Sequence, residues 1–362
     1  MYFGLSEDQI FFQDNVEKFL NDYANIDVIK LIANEEGSDQ KNEIHSGILN
    51  LGCNNILIPE KYGGLGLNLL FATAVSQSLG TCISPSPYIG SYVMAPIGIL
   101  EGGNDIQKET YLKKMVSGEV KIGIAFSEYI SARDKAGLEF KNNMVNGKSL
   151  FVLDLDYATH IMLADKNGQI GILDIDSKGV EIIKLKTVDR TRNFMEVEFK
   201  DVKMDILEKT LNSNDSAEKA ISAGRIALAA DSVGASQAMI DKAVAYSKER
   251  KQFNRVIGSF QAVKHMCAEM SSELEPCYSL VWHAAHTFDG NEKNYKLMAC
   301  HAKSHISEIS KVISKKSTEV HGGMGFTDLL GLHYWFKRIG VNRQLLGSPE
   351  IVREEAAKIQ GL

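Results

Sequence analysis

The residues best suited to chemistry gather in 248–261, K-E-R-K-Q-F-N-R-V-I-G-S-F-Q. Arg250, Lys251 and Arg255 concentrate positive charge there. A guanidinium presents paired N–H donors that match phosphate oxygens, so this corner suits a diphosphate. It also suits an ordinary solvated loop. A second candidate is E-V-H-G-G-M-G-F-T at 319–327. Gly322 and Gly323 allow backbone N–H groups to approach a phosphate closely, or simply break a helix. His321 beside them has no Ser or Cys partner motif, so it reads as a structural hydrogen-bonding group rather than part of a hydrolytic triad. A third stretch, L-G-C-N-N-I-L-I-P-E-K-Y-G-G-L-G-L at 51–67, is glycine-rich. It lacks the Lys-Ser/Thr of a P-loop and the G-x-G-x-x-G of a dinucleotide fingerprint, so both are excluded.

These stretches need elements to position them. Ile226, Ala230, Val233, Ile240 and Val244 recur at helical spacing before the basic corner. Val263, Met266, Met270, Leu274 and Cys277 do so after it, which predicts two long helices meeting there. Residues 1–119 read as helical: Ser6 before Glu7, Asp8 and Gln9 is a cap, Ile10, Val16 and Leu20 form a stripe, and a short helix covers 106–118. Residues 120–210 change period. Ile122, Ile124 and Phe126 alternate, as do Met195, Val197 and Phe199. Asn146-Gly147 and Asn167-Gly168 predict hairpin turns. A polar linker is expected over 205–215 and a helical bundle over 211–362. The layout is α+β, with a helical domain at 1–119, an antiparallel β-domain at 120–210 and a helical domain at 211–362.

Composition narrows the function. The 362 residues are 44% hydrophobic and 24% charged, which fits a globular chain with a large core. A net charge of −6 gives no global attraction to nucleic acid or anionic membrane, so phosphate binding needs a local patch. The cysteines at 53, 82, 267, 277 and 300 form no CxxC and read as reduced thiols of a cytoplasmic protein. No secretory signal or membrane-spanning run is expected.

The run R-K-Q-F-x-x-x-I-G-x-F-Q, with 51–67, F-K-D-V-K-M at 199–204 and 319–327, resembles the acyl-CoA dehydrogenase family nearly end to end. That resemblance implies the family fold, with a helical domain, a β-domain and a four-helix C-terminal bundle. It implies FAD as cofactor, an acyl-CoA substrate desaturated at C2–C3, and electron-transfer flavoprotein as electron acceptor. It implies a homo- or hetero-tetramer, because the family's Arg and Phe here, Arg250 and Phe253, reach the neighbouring subunit's FAD. Gln261, Gly322 and Gly323 join them at the dinucleotide. Ser127 and Phe151 line the flavin ring, and Phe126, Leu153 and Ser348 are further cofactor-binding positions. Three departures stand out. Asn254 replaces a glycine after Phe253. Tyr129 replaces the proline of a Thr-Glu-Pro sequence, and I-S-A-R-D at 130–134 replaces Gly-Ser-Asp. Leu153 replaces a threonine.

The largest departure concerns acid–base chemistry. Removing a proton next to a thioester needs a carboxylate aimed at that carbon. The family carries this Glu before the last helix or before an Arg in the first long C-terminal helix. Those positions are Leu346 and Gly224 here, and neither can accept a proton. Glu350, Glu218 and Asp328 are nearby but match no family base position. No catalytic residue is therefore assigned. The chain reads as a subunit whose partner brings the Glu, as a self-sufficient enzyme with another base, or as a non-catalytic flavin- or acyl-CoA-binding scaffold.

Overall fold

A computed structural model describes residues 4–130 and 137–362. The departure at 131–134 lies outside the described residues.

The amino-terminal part is helical: α1 Glu7–Tyr23, α2 Ile26–Ala33, α3 Ser38–Asn50, α4 Leu69–Thr81, α5 Ala95–Gly102 and α6 Asp105–Ser117. Ser6 caps α1 in a reciprocal capping box with Gln9. The buried stripe of α1 is Gln9, Gln13, Val16 and Leu20, whereas Ile10 is 44% exposed. The expected stripe was one position off at its start, because polar Gln9 faces inward to close the cap. Gly118, with φ 78°, ends α6 in a left-handed cap. In the 51–67 loop, a Cβ on Gly64 would stand 2.0 Å from the Ile58 carbonyl oxygen, so that turn requires glycine.

Two four-stranded sheets follow. One contains β1 Ile122–Ala125, β4 His160–Ala164, β5 Ile170–Asp174 and β8 Asp205–Ile206 in the order β1-β4-β5-β8. The other contains β2 Gly137–Lys141, β3 Met144–Val152, β6 Val180–Leu185 and β7 Phe194–Lys203 in the order β2-β3-β7-β6. All ladders are antiparallel except β1 with β4. Asn167-Gly168 turns between β4 and β5 as expected, with Asp165 accepting from the N–H groups of Asn167 and Gln169. Asn146-Gly147 does not turn. The β2–β3 hairpin reverses at Asn142-Asn143, whose φ values of 53° and 59° give a primed turn. Gly147 lies inside β3 at a register shift, where a Cβ would meet the Gly137 carbonyl oxygen at 1.9 Å. The expected polar linker is partly recruited: β8 pairs with β5, and a 3-10 turn covers Glu208–Leu211.

The remaining elements are α7 Asp215–Glu249, α8 Gln261–Asp289, α9 Tyr295–His321, α10 Leu332–Gln344 and α11 Pro349–Ile359. Helix α7 is buried over most of its length. It packs backbone to backbone on α4: a Cβ on Gly80 would stand 1.9 Å from the Asp231 carbonyl, and one on Gly234 1.9 Å from that of Gln77. Within α7, Asp231 is buried and accepts from Arg338 Nε (3.0 Å) and Nη2 (2.5 Å) and from Asn342 Nδ2 (2.6 Å). No helix among the described residues is long and apolar enough to cross a membrane.

Burial alone would raise the Asp231 pKa, but Arg338, Arg192 and Asn342 outweigh it and hold the carboxyl below its usual value. A depressed acid contributes stability that is complete above its unfolded pKa and is lost as pH falls through the folded value. Its contribution therefore persists at neutral pH and fades only below about pH 4. Asp231→Ala leaves a buried guanidinium unpaired and should destabilise the chain by about 3–5 kcal/mol in urea titrations at pH 7.

Candidate functional site

A cavity of about 660 Å³ opens between the β-sheets and the α10–α11 corner. Phe126, Ser127, Phe151 and Leu153 line its β side, and Leu345 to Ser348 with Gln344 line its helical side. Phe151 and Leu346 hold left-handed backbone, with φ 50° and 56°. For bulky residues this conformation is strained and persists only where surrounding structure enforces it. Here it turns both residues toward one space. Ser127 Oγ lies 3.1 Å from the buried Ser149 hydroxyl. The polar groups on the wall are Ser127, Thr187, Gln344 and Ser348, and the rest is apolar. A planar aromatic ring system with a few hydrogen-bonding edges fits such a slot.

The sequence-predicted residues thus separate into two groups. Phe126, Ser127, Phe151, Leu153 and Ser348 come together at this cavity, while Arg250, Phe253, Gln261, Gly322 and Gly323 do not reach it. The second group shares one end of the helical bundle. Helices α7 and α9 run parallel, with Ser310 Oγ 3.4 Å from Ser232 O and Ser317 Oγ donating to Met239 O at 2.8 Å. Near their carboxyl ends the Tyr246 and His321 rings lie 4.6 Å apart. Arg250 and Gly322 follow directly at that end. His321 is buried and bonds the Ser317 carbonyl through Nδ1 at 2.7 Å, a structural role. Arg250, Gln261, Gly322 and Gly323 are exposed, and Phe253 is 87% exposed with φ 51°. Asn254 adopts the left-handed conformation, φ 59°, at the position of the family's glycine.

Comparison with known proteins decides the family. Residues 6–119 match the family model "Acyl-CoA dehydrogenase, N-terminal domain", and residues 215–360 match "Acyl-CoA dehydrogenase, C-terminal domain". The chain belongs to the acyl-CoA dehydrogenase family. The 3-(aryl)acrylate reductase of Clostridium sporogenes is 30% identical, covering 93% of this chain and 95% of that protein. The caffeyl-CoA reductase–Etf complex subunit CarC of Acetobacterium woodii is 28% identical, covering 86% and 88%. Among solved structures, the ChsE4–ChsE5 complex of Mycobacterium tuberculosis superimposes with a TM-score of 0.88 at 18% identity, covering 100% of this chain and 99% of that one. This family member is a flavoprotein oxidoreductase with FAD as cofactor. The size and composition of the cavity fit the flavin ring.

The two positions at which the family resemblance led to the expectation of a carboxylate are neighbours in space. A Cβ on Gly224 would stand 2.6 Å from Leu346 Cδ1 and 2.7 Å from Met94 Sδ. Leu346 fills the space over Gly224, and the described cavity wall carries no carboxylate, His, Cys or Lys. The other acids are held elsewhere. Glu350 pairs with Arg343 at 2.7 Å, and Ser348, its own N–H and Arg343 hold it down to about 2. Asp328 bonds His333. Glu218 accepts from the Tyr129 hydroxyl and pairs with Lys296 at 2.6 Å.

That Glu218 contact belongs to a chain of charges that fixes the cavity's two walls. Tyr129, beside the β wall, bonds Glu218 of α7, and Lys296 of α9 bridges Glu218 to Glu355 of α11 at 3.2 Å. Glu355 meets the buried Arg225 at 2.9 Å, and Arg225 Nε donates to the Leu346 carbonyl at 2.9 Å. Burial pushes Glu355 upward, but Arg225 and Lys296 outweigh it and hold the carboxyl below its usual range. Sequence reasoning missed Thr187, Val188, Phe194, Val341 and Gln344 on the cavity wall. They come from the β6–β7 connection, the first residue of β7 and α10, and no local pattern marks them.

The Gly224–Leu346 contact predicts a coupling. Gly224→Ala forces the tips of Leu346 and Met94 aside and should cost about 1–3 kcal/mol, partly offset by helix propensity. In a Leu346→Ala background the cost should fall by at least about 1 kcal/mol, read from urea midpoints in a double-mutant cycle.

Proposed function

We propose that this chain is a FAD-binding subunit that acts on the C2–C3 bond of an acyl-CoA thioester within a hetero-oligomer, with a paralogous subunit bringing the catalytic carboxylate. The observation that carries this reading is the apolar packing of Leu346 on Gly224, at the two alternative positions where the family resemblance implies a proton acceptor. Desaturation removes a proton from C2 and a hydride from C3, and FAD supplies the hydride acceptor. This chain's own residues bind and orient. Phe151 and Phe126 cover the ring faces, Ser127 and Ser348 offer hydroxyls to its edge, and the apolar wall excludes water. Arg250, Phe253, Gln261, Gly322 and Gly323 hold the dinucleotide of a neighbouring subunit, which their exposure at one bundle end supports.

Relatives support the assembly. One is named as a subunit of an Etf complex, and one similar fold is a complex of two named chains. An electron-transfer flavoprotein is the proposed redox partner. Two relatives are named reductases, so the direction of hydride transfer is part of the test. The free cysteines support a reducing compartment, and the cytoplasm is proposed.

A visible spectrum of the purified chain, titrated with acyl-CoA thioesters, tests the reading. Flavin bands are expected, with bleaching only after a Glu-bearing partner is added. Bleaching by the chain alone would make it self-sufficient, and a yellow chain inert in every pairing would make it a scaffold. Arg250→Ala should lower flavin content at least about tenfold through loss of charge-assisted phosphate bonds; full retention would remove Arg250 from the site. Leu346→Glu places a carboxylate on the cavity wall and should raise turnover of the isolated chain. Gly224→Glu should not, because Leu346 and Met94 already occupy the space around it.

A further inference from the structure

We propose that a separate cleft, between the α2–α3 corner and the β6–β7 connection, is a binding site for a phosphate-bearing ligand. The cleft encloses about 510 Å³ and has Lys41, Lys184, Lys186, Arg190 and Arg192 on its wall, with Glu35 and Asp189 as the opposing acids. The pairing of these charges is informative. Lys184 pairs with Glu35 at 2.7 Å, Arg192 with Asp189 at 3.3 Å, and Lys41 with Asp156 at 2.5 Å. Lys186 and Arg190 form no ion pair within 4.0 Å among the described residues, both are exposed, and both help to hold the nearby Glu35 carboxyl below its usual value. In a chain of net charge −6, five cations against two acids on one cleft wall are a local exception.

A second feature points the same way. Helix α3 starts on the cleft wall at Gly37 and Ser38, and no side chain caps its first N–H groups. Uncapped helix N–H groups favour an anion, although Asp39 in the first turn offsets part of the dipole. Glycine is required at the corner, since a Cβ on Gly37 would stand 2.8 Å from the Ile32 amide nitrogen. Lysine, arginine and free backbone donors together form the donor set of a compact phosphate ester. Thr187 lines both this cleft and the ring cavity, so the two spaces adjoin. The ligand is therefore either the phosphorylated end of a thioester whose acyl end enters the cavity, or a separate nucleotide.

Isothermal titration of the flavin-saturated full chain with inorganic pyrophosphate, ADP and CoA tests this. Binding should weaken as salt rises. The double variant Lys186→Glu/Arg190→Glu should lose at least about tenfold in affinity, the effect of removing one charged hydrogen bond or more. A control reversal away from the cleft, Lys293→Glu/Lys315→Glu, should change affinity less than about twofold if screening confines the effect to the cleft. CoA binding more tightly than ADP, with the same loss in the variant, identifies the thioester's phosphorylated end; ADP binding more tightly than CoA, which contains the same diphosphate, identifies a separate nucleotide. No binding of any probe, an unaffected cleft variant, or an equal loss in the control overturns the proposal. Flavin absorbance of the same samples keeps the two readings apart. A yellow chain without anion binding removes the cleft alone, and a colourless chain that binds pyrophosphate removes the flavin reading alone.

Discussion

A helix of 35 residues buried along most of its length must resolve every charge it carries, and α7 carries Arg225 and Asp231 inside the core. An unpaired ion there would cost several kcal/mol. Asp231 therefore binds Arg338 of α10, and Arg225 binds Glu355 of α11 and the carbonyl of Leu346. These partners flank the corner between α10 and α11. Electrostatic satisfaction of one helix thus fixes the segment that forms the helical wall of the cavity. The left-handed backbone at Leu346 is held by the same bonds. Lys303 adds to this, donating to the carbonyls of Asn342 and Arg343 at 2.7 and 3.0 Å, close to where α10 gives way to that corner.

The chemistry of the cavity follows from what this scaffold presents. Positioning is elaborate, with Tyr129, Glu218, Lys296, Glu355 and Arg225 linking opposite walls. Yet these carboxylates are spent on fixed partners, and none lines the described cavity wall. A group already neutralised by a neighbouring cation is poorly suited to accept a proton. The same construction that makes the slot rigid makes it apolar. That combination suits holding a ring and excluding water better than proton transfer.

The extended cofactor and the compact cavity also have different requirements. A ring needs a dry slot, which one chain can build. A diphosphate needs donors that remain accessible until the cofactor arrives; the Arg250 corner and the Gly322-Gly323 break, proposed above for that role, stand exposed at one end of the bundle. The left-handed turn at Phe253 and Asn254 projects the phenyl ring outward, a costly exposure for a monomer.

Local patterns alone determined much of this protein. The change from helical to alternating period marked the β-region, Ser6 marked the start of α1, and the stripes through Ile226 and Met270 marked the two helices at the basic corner. Motif order revealed the family, and the proposal that Leu346 and Gly224 stand in place of glutamate needed no coordinates. These features depend on neighbours a few residues apart, which sequence displays directly. Tertiary structure decided the rest. Gly147 is glycine because of Gly137 across the ladder, not because of a turn. Val188 and Gln344 meet at one cavity from distant segments. Leu346 rests on Gly224 because two buried charges pull their helices together. Such contacts are set by long-range packing and the pairing of desolvated charge, and a linear pattern contains neither distance nor dielectric.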